Sequence, residues 1–299
     1  MKRGHWQILL AAVLFLLALG LTLYPVVSNW YIGRHQSRIQ TEYREVLEQT
    51  DSAEIESIRE SAVAYNKTIT PGAAEEAYSQ ASIRAASEDY VNQLNVSGSG
   101  IMGYVEIPKI GVDLPIYHGT GADSLDRGTG HLLGSSLPVG GESTHTIITG
   151  HSGMASQKMF TDLEQLREGD IFYLHVLDET LTYEVRKIHT VLPHDTTYLG
   201  IEPGEDLCTL VTCTPTGVNT HRLLVHGSRI PYVPTEETEA SAVPHEENTD
   251  SNWEKQYWLG VRLGLAAMVF LTLVAGAVLY IRRNRGRAVH RKGGRYVRK

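Results

Sequence analysis

The chain has 299 residues, of which 42% are hydrophobic, and its formal net charge is −7. This length and composition fit one well-packed domain with accessory segments and exclude a wholly disordered chain. No acidic residue lies before Ser28 or after Lys255, so all 34 acidic side chains fall in the middle of the chain. So acidic a middle segment argues against nucleic acid as a partner, because binding to the phosphate backbone requires a basic surface.

The first element is an apolar run close to the N-terminus. Residues 8–27 carry no charge, and Lys2 and Arg3 precede them. A helix of this length can span a bilayer. A secretory signal has the same basic start, but its apolar region is usually about 7 to 15 residues long and ends at small residues. We therefore predict that residues 1–29 form an uncleaved membrane anchor, with a cleaved signal segment as the alternative.

The next segment has a helical composition. Residues 31–66 are rich in Glu, Arg, Gln and Ala, with apolar residues at helical spacing, which predicts one helix. The Thr-Pro-Gly sequence at 70–72 breaks this pattern, and a second helical stretch follows over 73–94. We predict a helical extension over residues 30–100.

From residue 101 onward the sequence is typical of β-structure, with short apolar runs separated by Gly, Pro and Asp. Many short strands at this spacing indicate a closed barrel or a sandwich over residues 101–233. One helix-like interruption, at 159–167, is predicted to plug the barrel. The predicted strands are 104–107, 112–117, 146–149, 171–176, 181–191, 207–213 and 221–226.

The C-terminal part returns to the membrane. Residues 234–257 form an acidic linker, and 258–281 contain a second uncharged apolar run long enough to span a bilayer. The tail, 282–299, carries nine Lys and Arg residues. Because cytosolic flanks are the basic ones, we predict that both termini are cytosolic and that the acidic middle lies outside the cell.

Two cysteines, Cys208 and Cys213, lie in this external segment. Extracellular cysteines usually form disulfides, but these two lie five residues apart on one predicted strand and so face opposite sides. We predict that they do not pair. An unpaired external thiol is a liability unless it is buried or used, which favours a reactive role for one of them.

Cys213 is the better candidate because it ends its strand beside a turn, Thr214-Pro215-Thr216-Gly217, where a substrate could reach it. Arg222 begins the returning strand, so a hairpin should bring its guanidinium back to the thiol. An Arg cannot act as a base, but it can stabilise the negative charge that develops on a carbonyl oxygen. A surface ion pair is the alternative role for Arg222.

A cysteine nucleophile needs a proton partner, and 13 histidines compete for that role. His151 is favoured because it follows a predicted strand and is flanked by Gly150 and Gly153, which leave room for a peptide. His118, His131 and His145 lie near turns, but none of them pairs with another at a zinc-ligand spacing, and the sequence has no His-Glu-x-x-His motif. We expect neither a metal nor a cofactor.

Three of these elements together resemble the sortase family. The sequence Thr209-Leu210-Val211-Thr212-Cys213 resembles the family's Thr-Leu-x-Thr-Cys signature, and Arg222 follows where the family has its essential arginine. The sequence Thr149-Gly150-His151 resembles the family's histidine motif. The resemblance covers residues 101–233 and implies a mainly β, eight-stranded sortase barrel. The helical extension, the residues from Cys213 to Arg222 and the second membrane helix resemble the class C, pilin-polymerising branch.

The resemblance also implies an activity. Cys213 would attack the Thr-Gly carbonyl of an LPXTG-like sorting signal, and an amine would resolve the thioacyl enzyme. In the pilin branch that amine is a pilin lysine, and in the wall-anchoring branch it belongs to a peptidoglycan precursor. His151 would transfer protons, Arg222 would hold the carbonyl oxygen, and Thr212, Thr209 and Leu210 would bind substrate. The partners implied are an LPXTG-bearing pilin or surface protein and the membrane.

Two rival functions use the same residues differently. A hydrolytic cysteine protease would let water resolve the thioester. If the protein were a non-enzymatic adhesin, the presence of Cys213, His151 and Arg222 together would be a coincidence.

One departure from the class C pattern concerns the lid, the segment that closes the active site in that branch through an Asp-Pro-aromatic motif. Thr70-Pro71-Gly72 has neither the acid nor the ring. We therefore expect a loosely held lid and a reactive Cys213, or, as the alternative, a lid held by Tyr78.

Overall fold

The computed structural model describes residues 2–70, 72–79, 87–154, 157–232 and 252–293 of the chain. Contacts divide the chain into two compact units, one of Tyr31–Trp253 and the other of Met1–Trp30 with Glu254–Lys299. The helices are α1 (Lys2–Gln49), α2 (Ser52–Asn66), α3 (Ala73–Ser79), α4 (Glu88–Asn92), α5 (Ala122–Leu125) and α6 (Asn252–Gly293).

The larger unit is built on a closed barrel of eight strands in the order β1-β2-β3-β4-β7-β8-β6-β5. Two neighbouring pairs, β2 with β3 and β4 with β7, are parallel, and the other pairs are antiparallel. The predicted mainly β barrel with a helical N-terminal region is thus confirmed. The strands are β1 (Ile101–Ile107), β2 (Val112–His118), β3 (Thr129–His131), β4 (Thr144–Thr149), β5 (Ile171–Val176), β6 (Glu179–Val191), β7 (Asp206–Thr214) and β8 (His221–Ile230).

Alternate side chains of each strand fill the barrel interior. Ile148, Leu210 and Val225, from three neighbouring strands, all belong to the main core and are fully buried. The predicted plug is a 3-10 helix at Thr161–Gln165, and the apolar side chains in and around it join the same core. Burial of these apolar side chains is the main force that holds the barrel closed.

The helical extension differs from the prediction at two points. The predicted helix over 31–66 is broken, because Asp51 caps a new helix by accepting a hydrogen bond from the backbone N–H of Ala53 at 2.8 Å. The predicted helix over 73–94 consists in the structure of α3 and the short α4, which Ser87 caps. Residues 80–86 lie outside the described residues.

Helix α2 is fixed to the barrel by apolar and polar contacts. Ile55 and Ala62 are buried in the main core. At the end of α2, the Asn66 side chain accepts a hydrogen bond from the backbone N–H of Leu137 and donates one to its carbonyl. Such a paired contact fixes the point at which the chain leaves α2 for α3.

Among the described residues, one helical segment is long and apolar enough to cross a membrane, Trp258–Val278 within α6. This segment coincides with the second predicted span, and the predicted linker is described from residue 252, where α6 begins. The first predicted span lies in α1, but several of its side chains fall outside the described residues, so it stays a prediction.

Candidate active site

The predicted nucleophile and the predicted arginine face each other across a hairpin. Cys213 of β7 pairs directly with Arg222 of β8. Directly opposed residues in an antiparallel pair project to the same face with their Cβ atoms about 5 Å apart. The Arg222 guanidinium donates hydrogen bonds to the carbonyls of Asn219 and His221, which hold its stem at the turn. The hairpin thus places Arg222 opposite Cys213 in the strand register.

The histidine loop reaches the same edge because β4 and β7 are parallel. Parallel strands end at the same side of a sheet, and Thr149 at the end of β4 pairs with Val211 of β7. The backbone N–H of Gly150 continues this pairing by donating to the Val211 carbonyl at 3.0 Å. His151 therefore leaves β4 beside the strand end that carries Cys213.

A second set of contacts holds the histidine loop against the predicted nucleophile. The Ser152 hydroxyl donates a 2.6 Å hydrogen bond to the carbonyl of Cys213 itself. A side chain at Gly150 would clash with the buried ring of Phe160, because a Cβ there would lie 2.7 Å from the ring. Sequence reasoning missed Ser152, although its position next to His151 was a usable signal.

His151 has a carboxylate neighbour. Its Nε2 lies 3.7 Å from Asp126 Oδ1, and the two side chains are 37% and 65% exposed. An exposed pair at this distance contributes little to stability, but it gives the imidazolium a favourable partner. Asp126 follows α5, in the connection between β2 and β3, and no sequence signal linked it to His151.

Helix α3 covers the outer face of the barrel wall next to this site. Ala74 and Tyr78 pack on a second cluster of buried residues. Glu75 contacts the connection between β6 and β7, since a Cβ on Gly200 would lie 2.9 Å from its carboxylate. The cluster under α3 is formed by Leu132, Ile147, Val191, Leu199, Val211 and Leu224.

Tyr78 is the residue of α3 that lies near Arg222 and Cys213. Burial raises the pKa of its hydroxyl, the nearby Arg222 guanidinium opposes that shift, and Cys213 adds to it. The hydroxyl is buried, yet it has no hydrogen bond of normal geometry within the described part of the chain. The structure thus favours the second alternative for the lid, a segment held by Tyr78, over a loosely held one.

The three residues predicted to bind substrate have different surroundings. Leu210 is fully buried in the main core, so the prediction that its side chain binds substrate is wrong. Thr212 is also buried, and its hydroxyl donates to the Gly150 carbonyl at 2.8 Å, which positions the histidine loop. Thr209 is fully buried, and its hydroxyl lies 2.7 Å from both His145 and His226.

The two thiols are separate, as predicted. Neither Cys208 nor Cys213 forms a disulfide. Cys208 is fully buried, and burial raises its pKa well above the ordinary value, which keeps it protonated and unreactive. Cys213 is half-buried. Only the second thiol lies at the rim of the barrel wall with Arg222 and the histidine loop.

The comparisons with known proteins agree with this geometry. The sortase-domain family model matches residues 105–230. A sortase C structure from Streptococcus pneumoniae is 46% identical and superposes with a TM-score of 0.60, covering 66% of this chain and 100% of that one. Sortase C-1 from Actinomyces oris is 44% identical with a TM-score of 0.55, covering 60% and 99%.

A curated relative extends the match to another branch. Sortase D of Bacillus subtilis is 32% identical over 131 residues, which are 43% of this chain and 63% of that protein. The chain therefore spans somewhat less than two thirds of this relative's length. The barrel, the Cys213–Arg222 pair and the near-complete coverage of two sortase C structures agree, and the chain belongs to the sortase family of cysteine transpeptidases, in its class C branch.

Proposed function

We propose that this protein cleaves an LPXTG-like sorting signal between Thr and Gly and transfers the acyl part to a lysine of a pilin subunit. The observation that carries the proposal is the direct cross-strand pairing of Cys213 with Arg222 beside the clamped histidine loop. The pilin as substrate is supported by the Streptococcus pneumoniae relative, which is described in terms of pilin substrate specificity.

In the first half-reaction the Cys213 sulfur attacks the Thr carbonyl carbon. A carbon–sulfur bond forms, the carbon–nitrogen bond to Gly breaks, and His151 gives a proton to the departing amine. Arg222 stabilises the negative charge that develops on the carbonyl oxygen. The product is a thioacyl enzyme and a free Gly amine.

In the second half-reaction a lysine amine attacks the thioester carbon. A new carbon–nitrogen bond forms, the carbon–sulfur bond breaks, and His151 takes the proton that the amine loses. Ser152 and Thr212 hold the histidine loop in register with the nucleophile through both steps, since each bonds across from one element to the other. Thioester resolution by a peptidoglycan precursor amine or by water is the competing outcome.

The proposed location is the cell membrane, with the barrel outside the cell. The apolar segment Trp258–Val278 and the basic tail after it support a C-terminal anchor with a cytosolic end. An epitope tag at the C-terminus should then resist protease added to intact cells. Loss of that tag would place the tail outside and reverse the topology.

The test of the reaction uses the full-length protein in detergent micelles with a sorting peptide and a candidate pilin. Mass spectrometry separates three results: a peptide joined to a pilin lysine, a hydrolysed peptide and an unchanged peptide. The first result supports the proposal. Hydrolysis alone would assign a protease activity, and a product formed only with a peptidoglycan precursor would assign wall anchoring.

A further inference from the structure

A pocket with three histidines lies on the outer face of the barrel wall, the same face as the nucleophile. On β7 the side chains of Cys213, Val211 and Thr209 alternate to this face, and Thr209 pairs with His226 of β8. Four residues of strand place the pocket about 13 Å from Cys213. Its volume is about 290 Å³, and the lining residues used below are His145, Arg186, His189, Tyr198, Glu202 and His226.

The hydrogen bonds fix which nitrogens carry protons. His145 Nδ1 lies 2.7 Å from the Gly200 carbonyl, which can only accept, so Nδ1 carries the proton. Burial lowers the pKa of His145, so its ring is neutral and its Nε2 accepts a hydrogen bond from the Thr209 hydroxyl, 2.7 Å away. The Thr209 oxygen in turn accepts from His226 Nδ1, also at 2.7 Å.

This series of hydrogen bonds ends at His226 Nε2, an acceptor without a partner among the described residues. Burial, with the nearby histidines and cations, lowers the pKa of His226 to about 3, so that ring is neutral as well. With its proton on Nδ1, His226 has a lone pair on Nε2, and this nitrogen is buried from solvent and has no hydrogen-bond partner among the described residues. A buried polar atom without a partner is rare in proteins and calls for a ligand or a function.

The surroundings define what the pocket accepts. The rings of His189 and Tyr198 stack at 3.8 Å and lie within 6.0 Å of the His226 ring, so they form an aromatic wall beside it. Tyr198 is 42% exposed and lies on the connection between β6 and β7. Arg186 is paired with Glu202 and Glu205, which offset its charge, while Lys187 adds a cation to the rim that disfavours a cationic ligand. Among the described residues, no three His, Cys, Asp or Glu side chains are placed to share one metal ion. A neutral group that donates a hydrogen bond fits these conditions.

We propose that this histidine pocket is a specificity subsite for a neutral, hydrogen-bond-donating side chain on the acyl part of the substrate. The proposal rests on the proposed transpeptidase function, because the acyl part is the half that stays bound while the leaving amine departs and the acceptor enters. Between Cys213 and the pocket, Val211, Leu224 and Ile147 form an apolar floor that α3 covers, so a peptide reaches the pocket only when α3 is displaced. About 13 Å corresponds to four steps of extended peptide, which places in the pocket the residue just before the Leu of the sorting signal.

The test compares three sorting peptides that differ only at this position, with Gln, Met or Glu. The three side chains have similar size, but only Gln donates a hydrogen bond at neutral pH. With full-length protein, kcat/KM for the Gln peptide should exceed that for the Met and Glu peptides by about tenfold, the typical effect of one hydrogen bond. Equal values for all three peptides would overturn the subsite.

Variants connect the preference to His226. In His226→Asn the amide keeps a donor for Thr209 but lacks the second nitrogen, so the Gln-to-Met ratio should fall to near one. Thr209→Val removes the hydroxyl that keeps the proton of His226 on Nδ1, so the Gln-to-Met ratio should also fall. Thr209→Ser keeps the hydroxyl and should retain the ratio. A ratio unchanged in both His226→Asn and Thr209→Val would reject the assignment.

Binding separates this inference from the proposed reaction. Fluorescence anisotropy of the same peptides with the Cys213→Ala protein should show the Gln preference without any chemistry. Preference in binding without turnover of any peptide would reject the proposed function and support the pocket. Turnover of the peptides without any preference for Gln would support the proposed function and reject the pocket as a subsite.

Discussion

Each face of strand β7 carries one cysteine, and the two thiols have different surroundings. Cys208 and Leu210 point into the barrel, where both are fully buried, while Val211 and Cys213 lie on the outer face with the histidine loop and α3. The inner thiol is held protonated by burial, whereas the outer thiol faces a guanidinium. The position along the strand therefore decides whether a thiol lies in the core or beside Arg222 and the histidine loop.

The sharpest test of this contrast exchanges each thiol in turn. Cys213→Ala should abolish transfer, because no other sulfur reaches the substrate, while Cys208→Ala should keep most of it. Transfer from a sorting peptide to an amine, followed by mass spectrometry, measures both. A thioacyl adduct mapped to Cys208 would reverse the assignment of the two faces.

The next largest effect concerns the partners of the outer thiol. His151→Ala and Arg222→Ala should each lower the turnover rate by about a hundredfold or more, the usual loss when acid/base or oxyanion assistance is removed. His221→Ala is the matched control, because His221 adjoins Arg222 but alternates to the other face of β8. If His221→Ala lost as much activity as His151→Ala, the proton-transfer role would move to His221.

A smaller effect is expected from the contact that covers the outer thiol. Tyr78→Ala removes the ring that packs beside Arg222 and Cys213, so the rate of Cys213 alkylation by a small thiol reagent should rise by about tenfold. Tyr232→Ala, a half-exposed ring outside the α3 cluster, is the control. Equal rates in wild type and Tyr78→Ala would mean that α3 leaves the thiol open.

The smallest effect is on stability and comes from the barrel itself. His131 is fully buried, and burial lowers its pKa to about 4, so the native ring stays neutral where the unfolded chain takes up a proton. Its stabilising effect is complete above about pH 6.5 and is lost as the pH falls toward 4, by at most about 1.4 kcal/mol per pH unit. Urea unfolding at pH 7, 6 and 5 measures this slope, which should be shallower in His131→Asn. An identical slope in the variant would show that other histidines cause the pH dependence of stability.

Local patterns predicted much of this fold and failed where contacts are distant in sequence. The alternating runs located seven strands, but β3 has only three residues and no alternation to detect. The helix break at Asp51 was visible in principle, since Asp51-Ser52-Ala53-Glu54 has the form of a capping box. The spacing of the apolar runs predicted the fold class, whereas the helix boundaries depend on capping residues.

The site divides in the same way. Arg222 could be placed beside Cys213 because a hairpin is a local structure. A strand end and flanking glycines favoured His151 locally, but the family resemblance was needed to separate it from the other 12 histidines. Asp126 and the contact of Tyr78 depend on how separate segments pack, and Leu210 was misassigned because a signature sequence does not show which of its side chains point inward.

The parallel pairing of β4 with β7 has a kinetic consequence. The hydrogen bond between Thr212 and Gly150 joins residues that are 62 apart in the chain, whereas β7 and β8 meet through a short hairpin. Contacts this distant in sequence form slowly, because loop-closure entropy opposes them until the intervening chain is ordered. We therefore expect the nucleophile to meet its arginine early in folding and its histidine late, so that a nascent chain emerging from the membrane carries an unassisted thiol until the barrel closes. Refolding followed by stopped-flow measurement of peptide cleavage should show activity only in the slowest phase.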